Sequence, residues 1–223
     1  MAKKKVSKVK YFNLQEELAK EHFRVAVFGS ARIKSSSKYY QEVYKLTKMI
    51  GKLGVDIVTG GGPGIMDAAN KGHEDGKNEA RKNGTHSFGL TIRLPREQSD
   101  NKHFDMKKDF DKFTARLDYF IQLSNAVVVA TGGVGTLLEF LYTWQLVQVE
   151  KIYDIPIILL GDQWPPLIEW IKKGPLKNKL LNEEDLDSIY IVRDADEAFK
   201  IIKTSYEIYR RASAQFKGRK LVR

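Results

Sequence analysis

The sequence predicts an α/β fold in which helices cover both faces of one doubly wound parallel sheet, all within a single domain. Six short apolar segments alternate along the chain with segments of helical spacing, and this alternation is typical of α/β proteins. The six segments are continuously apolar, which indicates strands buried on both faces, as in a parallel sheet. A chain of 223 residues is long enough to bury the core of one large domain.

The predicted strands lie at 24–29, 55–60, 87–92, 126–131, 155–161 and 188–192. With right-handed crossovers, the commonest order for such a sheet places the first and fourth of these strands side by side at the centre. Ligands of these folds bind at the carboxyl ends of the strands, beside that switch point. We therefore expect the loops after the first, second and fourth strands to face one crevice.

The predicted helices lie at 39–54, 63–84, 110–125, 136–149, 164–174 and 194–212. The first of them ends at Gly54, a residue that readily adopts the left-handed conformation at a helix end. The second has Pro63 at its start, where the missing N–H of proline costs nothing. In the third, Leu117, Phe120 and Ile121 share one apolar stripe ahead of the fourth strand.

Two further segments carry expectations about a site and a partner. Segment 94–110 contains a proline and many charges without a clear period, so we predict a mobile loop over a site. The helix after the fourth strand is apolar almost all round, and its apolar residues are Leu137, Leu138, Phe140, Leu141, Trp144, Leu146, Val147 and Val149. Such a helix is buried on more than one side, so we expect it to contact both the sheet and the second subunit of a homodimer.

The loop after the first predicted strand contains one glycine, and glycine-rich loops follow the second and fourth predicted strands and lead into helices. Glycine permits tight turns and close backbone approach, and a helix start presents unpaired N–H groups with a partial positive charge. Two such loops at neighbouring strand ends predict an anion site, and phosphate is the anion that fits best. The predicted phosphate- and ribose-binding residues are Gly29, Ser30, Gly61, Gly62, Gly64, Gly132, Gly133, Gly135 and Thr136.

The loops match neither of the common nucleotide-binding motifs. No lysine follows the glycines as it does in a Walker A loop, and segment 62–67, which reads GPGIMD, lacks the third glycine of the dinucleotide fingerprint. The second predicted strand also ends in Val58, Thr59 and Gly60, without the acidic residue that would hold a ribose hydroxyl group. A nucleoside monophosphate or a sugar phosphate therefore fits the sequence better than ATP or NAD.

Glu139 and Arg116 are the charged residues for which a catalytic role competes with a structural one. The spacing of Thr136 and Glu139 matches a capping box, in which the glutamate would bind back to its own helix start. Alternatively, a carboxylate beside a phosphate loop is a candidate for a catalytic group with a shifted pKa. Arg116, which flanks the apolar stripe of its helix, either snorkels to solvent or points into the crevice to hold phosphate or a carboxylate.

The net charge of +10 belongs to the two ends of the chain. Residues 1–10 carry five basic side chains and no acid, residues 208–223 carry six and no acid, and removing these eleven charges leaves residues 11–207 at −1. We interpret the ends as solvated extensions rather than as a nucleic-acid-binding surface. The sequence thus predicts a basic extension at 1–10, a nucleotide-binding domain at 11–207 and a basic tail at 208–223.

Cellular context and cofactors are constrained by what the sequence lacks. There is no cysteine, which excludes disulfides and thiolate sites and fits a reducing compartment. No apolar segment has the length of a membrane span or of a signal peptide core. We therefore expect a cytoplasmic protein that has no membrane partner and no thiolate-based metal site.

The motifs GSARI, VTGGGPGIMDAAN and TGGVGTLLE, together with Arg116, resemble those of the Lonely Guy family, long described as possible lysine decarboxylases. The resemblance covers about residues 25–161 and implies a Rossmann-like fold, usually in a dimer. It also implies a phosphoribohydrolase that cleaves the N-glycosidic bond of nucleoside 5′-monophosphates to free base and ribose 5-phosphate. The family signature PGGxGTxxE is matched at Gly132, Gly133, Gly135, Thr136 and Glu139, and Arg116 matches the upstream arginine that works with the glutamate.

Three positions depart from the family pattern. Thr131 replaces the signature proline, Leu117 replaces the lysine after the arginine, and Leu138 replaces a glutamate found in many members. The first change concerns loop rigidity, whereas the other two remove charges near the predicted site. These losses leave a second hypothesis open, in which the protein is a non-catalytic binder or carrier of a nucleotide or a phosphorylated cofactor.

The resemblance implies a mechanism that needs neither metal nor cofactor. Breaking the bond between C1′ and the base develops positive charge on the ribose, as in other glycoside hydrolyses. Glu139 would stabilise that charge or activate water, and Arg116 would orient the substrate and the carboxylate. The glycine loops would hold the 5′-phosphate, whose binding energy positions the sugar.

Overall fold

A computed structural model describes residues 9–92 and 99–219, with side chains described as far as residue 215. The described strands are β1 Lys10–Tyr11, β2 Arg24–Phe28, β3 Asp56–Thr59, β4 Ser87–Ile92, β5 Met106–Phe110, β6 Ala126–Val129, β7 Ile157–Leu160 and β8 Ile189–Val192. The described helices are α1 Leu14–Leu18, α2 Lys38–Leu53, α3 Ile65–Glu79, α4 Phe113–Leu123, α5 Val134–Gln148, α6 Trp164–Ile171 and α7 Ala195–Arg219. A π-helical turn, Lys172–Leu176, continues α6, and a short 3-10 turn, Glu184–Leu186, precedes β8.

All strand pairs in the sheet are parallel, and the order is β1-β5-β4-β3-β2-β6-β7-β8. The α/β fold and the six predicted strands are confirmed, the strands being equal to the prediction or shorter by one to three residues. The predicted central pair is also confirmed, because β2 pairs with β6 in the register Val25 to Ala126. The carboxyl ends of β2, β3 and β6 therefore meet at one edge of the sheet.

The sequence prediction missed β5, and the predicted mobile loop at 94–110 is wrong over this part. Met106–Phe110 pairs with β4 and lies one strand from the edge of the sheet. Its residues are mostly half-buried or exposed, so the strand tolerates charges and shows no continuous apolar run. Residues 94–98 of the predicted loop lie outside the described residues.

The helices confirm the predicted alternation, with changes at their ends. Helix α2 ends as predicted at Gly54, which has a φ of 82° and caps the helix in the left-handed conformation. The five-residue α1, with Asn13 as its N-cap, was not predicted. Helix α7 runs on to Arg219, across the predicted boundary at 208, and Lys10 belongs to β1. The division into residues 1–10, 11–207 and 208–223 stays a prediction.

The core consists of two apolar layers, one on each face of the sheet. In β2, Val25 and Val27 point into the layer that contains α2, α3 and α7, whereas Ala26 and Phe28 point into the layer beneath α4, α5 and α6. All five residues of β2 are buried, as expected for a central parallel strand. In the described ranges, no helix combines the length and apolar character needed to cross a membrane.

Helix α5 is less buried than its sequence predicted. Thr136, Phe140 and Thr143 are buried on the side that faces the sheet. On the opposite side, Leu138 and Leu141 are nearly half exposed. The single chain therefore buries one face of this helix, and the homodimer that would cover the other face stays a prediction.

Candidate active site

A cavity of about 550 Å³ lies at the carboxyl ends of β2, β3 and β6. It is the crevice predicted from the strand order, since the loops after these three strands all contribute to its wall. The structure brings together eight of the eleven predicted site residues on the cavity surface: Gly29, Ser30, Gly62, Arg116, Gly133, Gly135, Thr136 and Glu139.

The other three predicted residues, Gly61, Gly64 and Gly132, lie outside the cavity lining and are held by protein groups. Gly61 has a φ of 71°, and its N–H donates to the hydroxyl of Thr59 over 3.0 Å. Gly64 has a φ of 68°, and a Cβ at this position would lie 2.4 Å from the carbonyl oxygen of Ser30. These positions require glycine for the shape of the loops.

The three loops are hydrogen-bonded to one another. The N–H of Ile65, the first residue of α3, donates to the carbonyl of Ser30 over 3.0 Å. The N–H of Ser30 in turn donates to the carbonyl of Thr131 over 3.1 Å. The loop after β2 is thus fixed between the loops after β3 and β6, and the cavity wall forms one connected backbone unit.

The amino terminus of α5 opens into this cavity. Gly133 is the N-cap, no side chain of the described residues caps the helix there, and the first internal hydrogen bond runs from the N–H of Leu137 to the carbonyl of Gly133. The N–H groups of Val134, Gly135 and Thr136 therefore have no carbonyl partner within the helix. Together with the helix dipole they form a positive, donor-rich wall suited to an anion such as phosphate.

Arg116 on α4 extends into the cavity. Its Nε donates to the carbonyl of Leu90 over 2.7 Å, and its guanidinium lies 5.3 Å from the ring centroid of Phe120. Burial lowers the pKa of Arg116, and the charge of Glu139 opposes that shift. Arg116 therefore does not snorkel to the outer surface; it presents a fixed cation to the cavity.

Glu139 lies in the second turn of α5, with its carboxylate towards the cavity. Burial raises the pKa of Glu139 to about 7, and the positive charge of Arg116 opposes part of this rise. Among the hydrogen bonds and ion pairs of the described residues, none involves this carboxylate. A carboxyl group with a pKa near neutrality and no hydrogen-bond or ion-pair partner among the described residues is suited to bind a ligand or to transfer a proton.

The capping-box alternative for Glu139 is wrong. That motif requires Thr136 to be the N-cap, but the N-cap is Gly133 and Thr136 is the third residue of the helix. Thr136 is buried, and its side chain packs against Gly132, where a Cβ would lie 2.1 Å from the hydroxyl oxygen. The S/T-x-x-E spacing is therefore coincidental, because the helix begins at Val134, two residues before the threonine.

Two residues of this region escaped the sequence analysis, Asn101 and Gln163. Asn101 binds the loop after β3, through its N–H to the carbonyl of Gly61 and its side-chain amide to the carbonyl of Gly62, both over 2.8 Å. Gln163 binds the loop after β6 at Gly132. Both residues act on loops from distant segments, so no local spacing in the sequence could have indicated them.

Leu117 and Leu138, the two charge-removing departures from the family pattern, do not belong to the described lining of the cavity. Leu117 is buried with 8% of its side chain exposed, whereas Leu138 lies on the outer face of α5 with 47% exposed. Both lie next in sequence to a cavity residue but point elsewhere. The two leucines therefore do not change the charged groups of the described cavity lining, which still include Arg116 and Glu139.

Comparison with known proteins gives a family match and more distant likenesses. The model of the family described as "possible lysine decarboxylase" matches residues 58–202. Over 144 residues the chain is 28% identical to the pyrimidine/purine nucleotide 5′-monophosphate nucleosidase of Escherichia coli K12. That match covers 61% of this chain but only 30% of the length of the nucleosidase.

Solved structures with the same fold include a molybdenum cofactor carrier protein from Chlamydomonas reinhardtii, with a TM-score of 0.61 and 21% identity over 83% of this chain and 99% of the carrier. They also include DNA processing protein A from Helicobacter pylori, with a TM-score of 0.53 and 17% identity over 86% and 84% of the two chains. At these identities the likeness concerns the fold alone.

Proposed function

Since this chain belongs to the family described as possible lysine decarboxylases, the Lonely Guy family, we propose that it hydrolyses the N-glycosidic bond of nucleoside 5′-monophosphates. The products are the free base and ribose 5-phosphate. The glycine loops after β3 and β6, Arg116 and Glu139 all lie within the matched region 58–202. The nucleosidase relative supports the same reaction class.

The observation that carries the proposal is that Arg116, Glu139 and the amino terminus of α5 line one cavity. A phosphate group bound by the first-turn N–H groups of α5 places the attached ribose next to the same helix. Glu139 lies one turn further along α5. A phosphate bound at the start of α5 would therefore place the ribose beside the carboxylate of Glu139.

The chemistry follows from the charges of these two side chains. As the bond between C1′ and the base nitrogen lengthens, positive charge develops on the ribose ring. Ionised Glu139 stabilises this charge and accepts a proton from the water that attacks C1′. Arg116 orients the carboxylate and the substrate without neutralising the carboxylate through a direct ion pair, because no ion pair of the described residues joins the two. Water supplies the hydroxyl group of ribose 5-phosphate, and the base leaves with a proton.

Decarboxylation, which the description of the family suggests, has no support in the geometry of the cavity. A Schiff-base mechanism needs a lysine amine at the reacting carbon, and no lysine is found among the described residues of the lining. The non-catalytic carrier hypothesis rested on Leu117 and Leu138. Because both side chains lie outside the described lining, they no longer favour a carrier over an enzyme.

A product assay tests the proposed reaction. Purified protein is incubated with AMP, GMP, CMP and UMP, and free base and ribose 5-phosphate are quantified chromatographically, with adenosine as a substrate that lacks the phosphate. We expect base release from at least one nucleotide and much slower release from adenosine. Stoichiometric nucleotide binding in calorimetry without any free base, at high protein concentration, would instead identify a carrier.

A further inference from the structure

Gln163 and Gly132 form a closed pair of hydrogen bonds between a side-chain amide and the main chain. The N–H of Gly132 donates to Oε1 of Gln163 over 3.1 Å, and Nε2 of Gln163 donates to the carbonyl of Gly132, also over 3.1 Å. Both polar main-chain groups of Gly132 are thereby occupied. The pair fixes the orientation of the backbone immediately before Gly133, where α5 begins.

The position of Gln163 is itself fixed relative to α5. Gln163 precedes α6, and the next residue, Trp164, is completely buried. The indole of Trp164 packs edge-on against Phe140 of α5, with 5.7 Å between the ring centroids. The start of α6 is therefore anchored on the same helix whose amino terminus Gln163 holds.

The loop held by Gln163 is otherwise supported by the hydrogen bond from Ser30 to the carbonyl of Thr131 and by the packing of Thr136 on Gly132. A Cβ placed at Gly133 or Gly135 would meet nothing within 4 Å, so both residues border open space. Thr131 makes no hydrogen bond through its N–H within the described residues, and its buried hydroxyl also has no partner there. Glycine in such a segment increases the conformational freedom that binding must remove.

We propose that Gln163 is a positioning residue that preorganises the amino terminus of α5 for the 5′-phosphate of the substrate. This inference rests on the proposed function, because the phosphate site belongs to the same cavity. Gln163 itself does not touch the cavity, which is lined by Gly133, Gly135 and Thr136 but not by Gly132 or Gln163 among the described residues. Its effect therefore falls on phosphate binding through the loop.

The test measures binding of ribose 5-phosphate by calorimetry, together with KM and kcat for AMP. Gln163→Ala removes both hydrogen bonds, and we expect affinity for ribose 5-phosphate to fall about tenfold, with KM raised in parallel and kcat within about twofold. Gln41→Ala is the matched control, because Gln41 is an exposed residue of α2 whose side-chain amide donates to the carbonyl of Ser35, and neither residue lines the cavity. If Gln163 had a merely structural role, Gln163→Ala would instead lower kcat and the melting temperature, and the loss would not be confined to KM and the affinity for ribose 5-phosphate.

A second substitution tests the mechanism of the effect. Proline fixes φ without using an N–H, and the N–H of Thr131 is not engaged in the described structure. Thr131→Pro in the Gln163→Ala background is therefore expected to restore part of the affinity for ribose 5-phosphate. Unchanged affinity in Gln163→Ala, or no binding of ribose 5-phosphate by the wild type, would overturn the proposal. Because calorimetry needs no turnover, weakened binding without base release would refute the hydrolase and leave the positioning role intact.

Discussion

Arg116 lies directly over the α-carbon of Gly60. A Cβ at residue 60 would fall 2.2 Å from Nη2 of Arg116 and 2.6 Å from the sulfur of Met66. The absence of a side chain at the end of β3 is therefore what allows the guanidinium to cross from α4 into the cavity. Gly60 of the motif VTGGGPGIMDAAN thus makes room for Arg116, which comes from α4.

Gly60→Ala should displace the guanidinium while leaving the fold intact. Arg116 must then give up its position over residue 60, and we expect kcat/KM for AMP to fall by about 10–100-fold, as a misplaced orienting group typically causes. Gly84→Ala is the control, because a Cβ there meets nothing within 4 Å. Equal activity of the two variants would show that the placement of Arg116 is irrelevant to the reaction.

The pH dependence of the reaction should report the ionisation of Glu139. Burial raises the pKa of Glu139 to about 7, and the proposed mechanism uses the ionised form. We therefore expect kcat/KM to rise as pH increases through about 7 and then to level off. Glu139→Gln should lose at least about 10²-fold in kcat, whereas Glu169→Gln, at an exposed glutamate on α6, should keep wild-type activity. A wild-type profile that is flat between pH 5.5 and 8.5 would contradict this assignment.

The same pKa predicts an effect on stability, with a defined sign. The folded-state pKa of about 7 lies above the ordinary 4.5 of a glutamate, so between these values the folded protein binds more protons than the unfolded chain. The free energy of unfolding of the wild type therefore falls as pH rises from 4.5 to 7. Glu139→Gln lacks this loss. Between pH 4.5 and 7 its free energy of unfolding should therefore rise by about 1–3 kcal/mol relative to that of the wild type, with the smaller value expected if the carboxylate is partly solvated in the cavity.

Chemical denaturation at pH 4.5, 6 and 8 measures this difference. His73, whose pKa burial lowers to about 4, titrates in part of the same range, but it does so in both proteins and cancels in the comparison. A difference in unfolding free energy that stays constant from pH 4.5 to pH 8 would mean that Glu139 has an ordinary pKa.

The central part of the fold was predictable because each buried strand is marked by a continuous apolar run. β2 and β6 read as RVAVF and AVVV, and burial on both faces favours such a continuous apolar run. β5 was missed for the opposite reason: MKKDF near the edge of the sheet exposes charged side chains. A strand with partly exposed faces can carry charged residues, so its sequence shows no continuous apolar run.

Some features of the candidate site could also be predicted from the sequence, and others could not. Glycine loops at strand ends, and the charged residues Arg116 and Glu139 beside them, follow from motif spacing and sheet order. The contacts of Gln163 with Gly132 do not, because they join segments that are distant along the chain. The capping-box interpretation of Glu139 failed because the helix start at Gly133 is set by the loop and not by the nearest threonine.

A crystal structure of the Glu139→Gln variant with AMP is the decisive measurement, since we expect this variant to bind the substrate without turning it over. We expect the 5′-phosphate at the N–H groups of residues 134–136, with C1′ of the ribose facing the side chain at 139 and the guanidinium of Arg116 beside it. AMP bound with its phosphate away from the amino terminus of α5, or with C1′ remote from residue 139, would contradict this expectation.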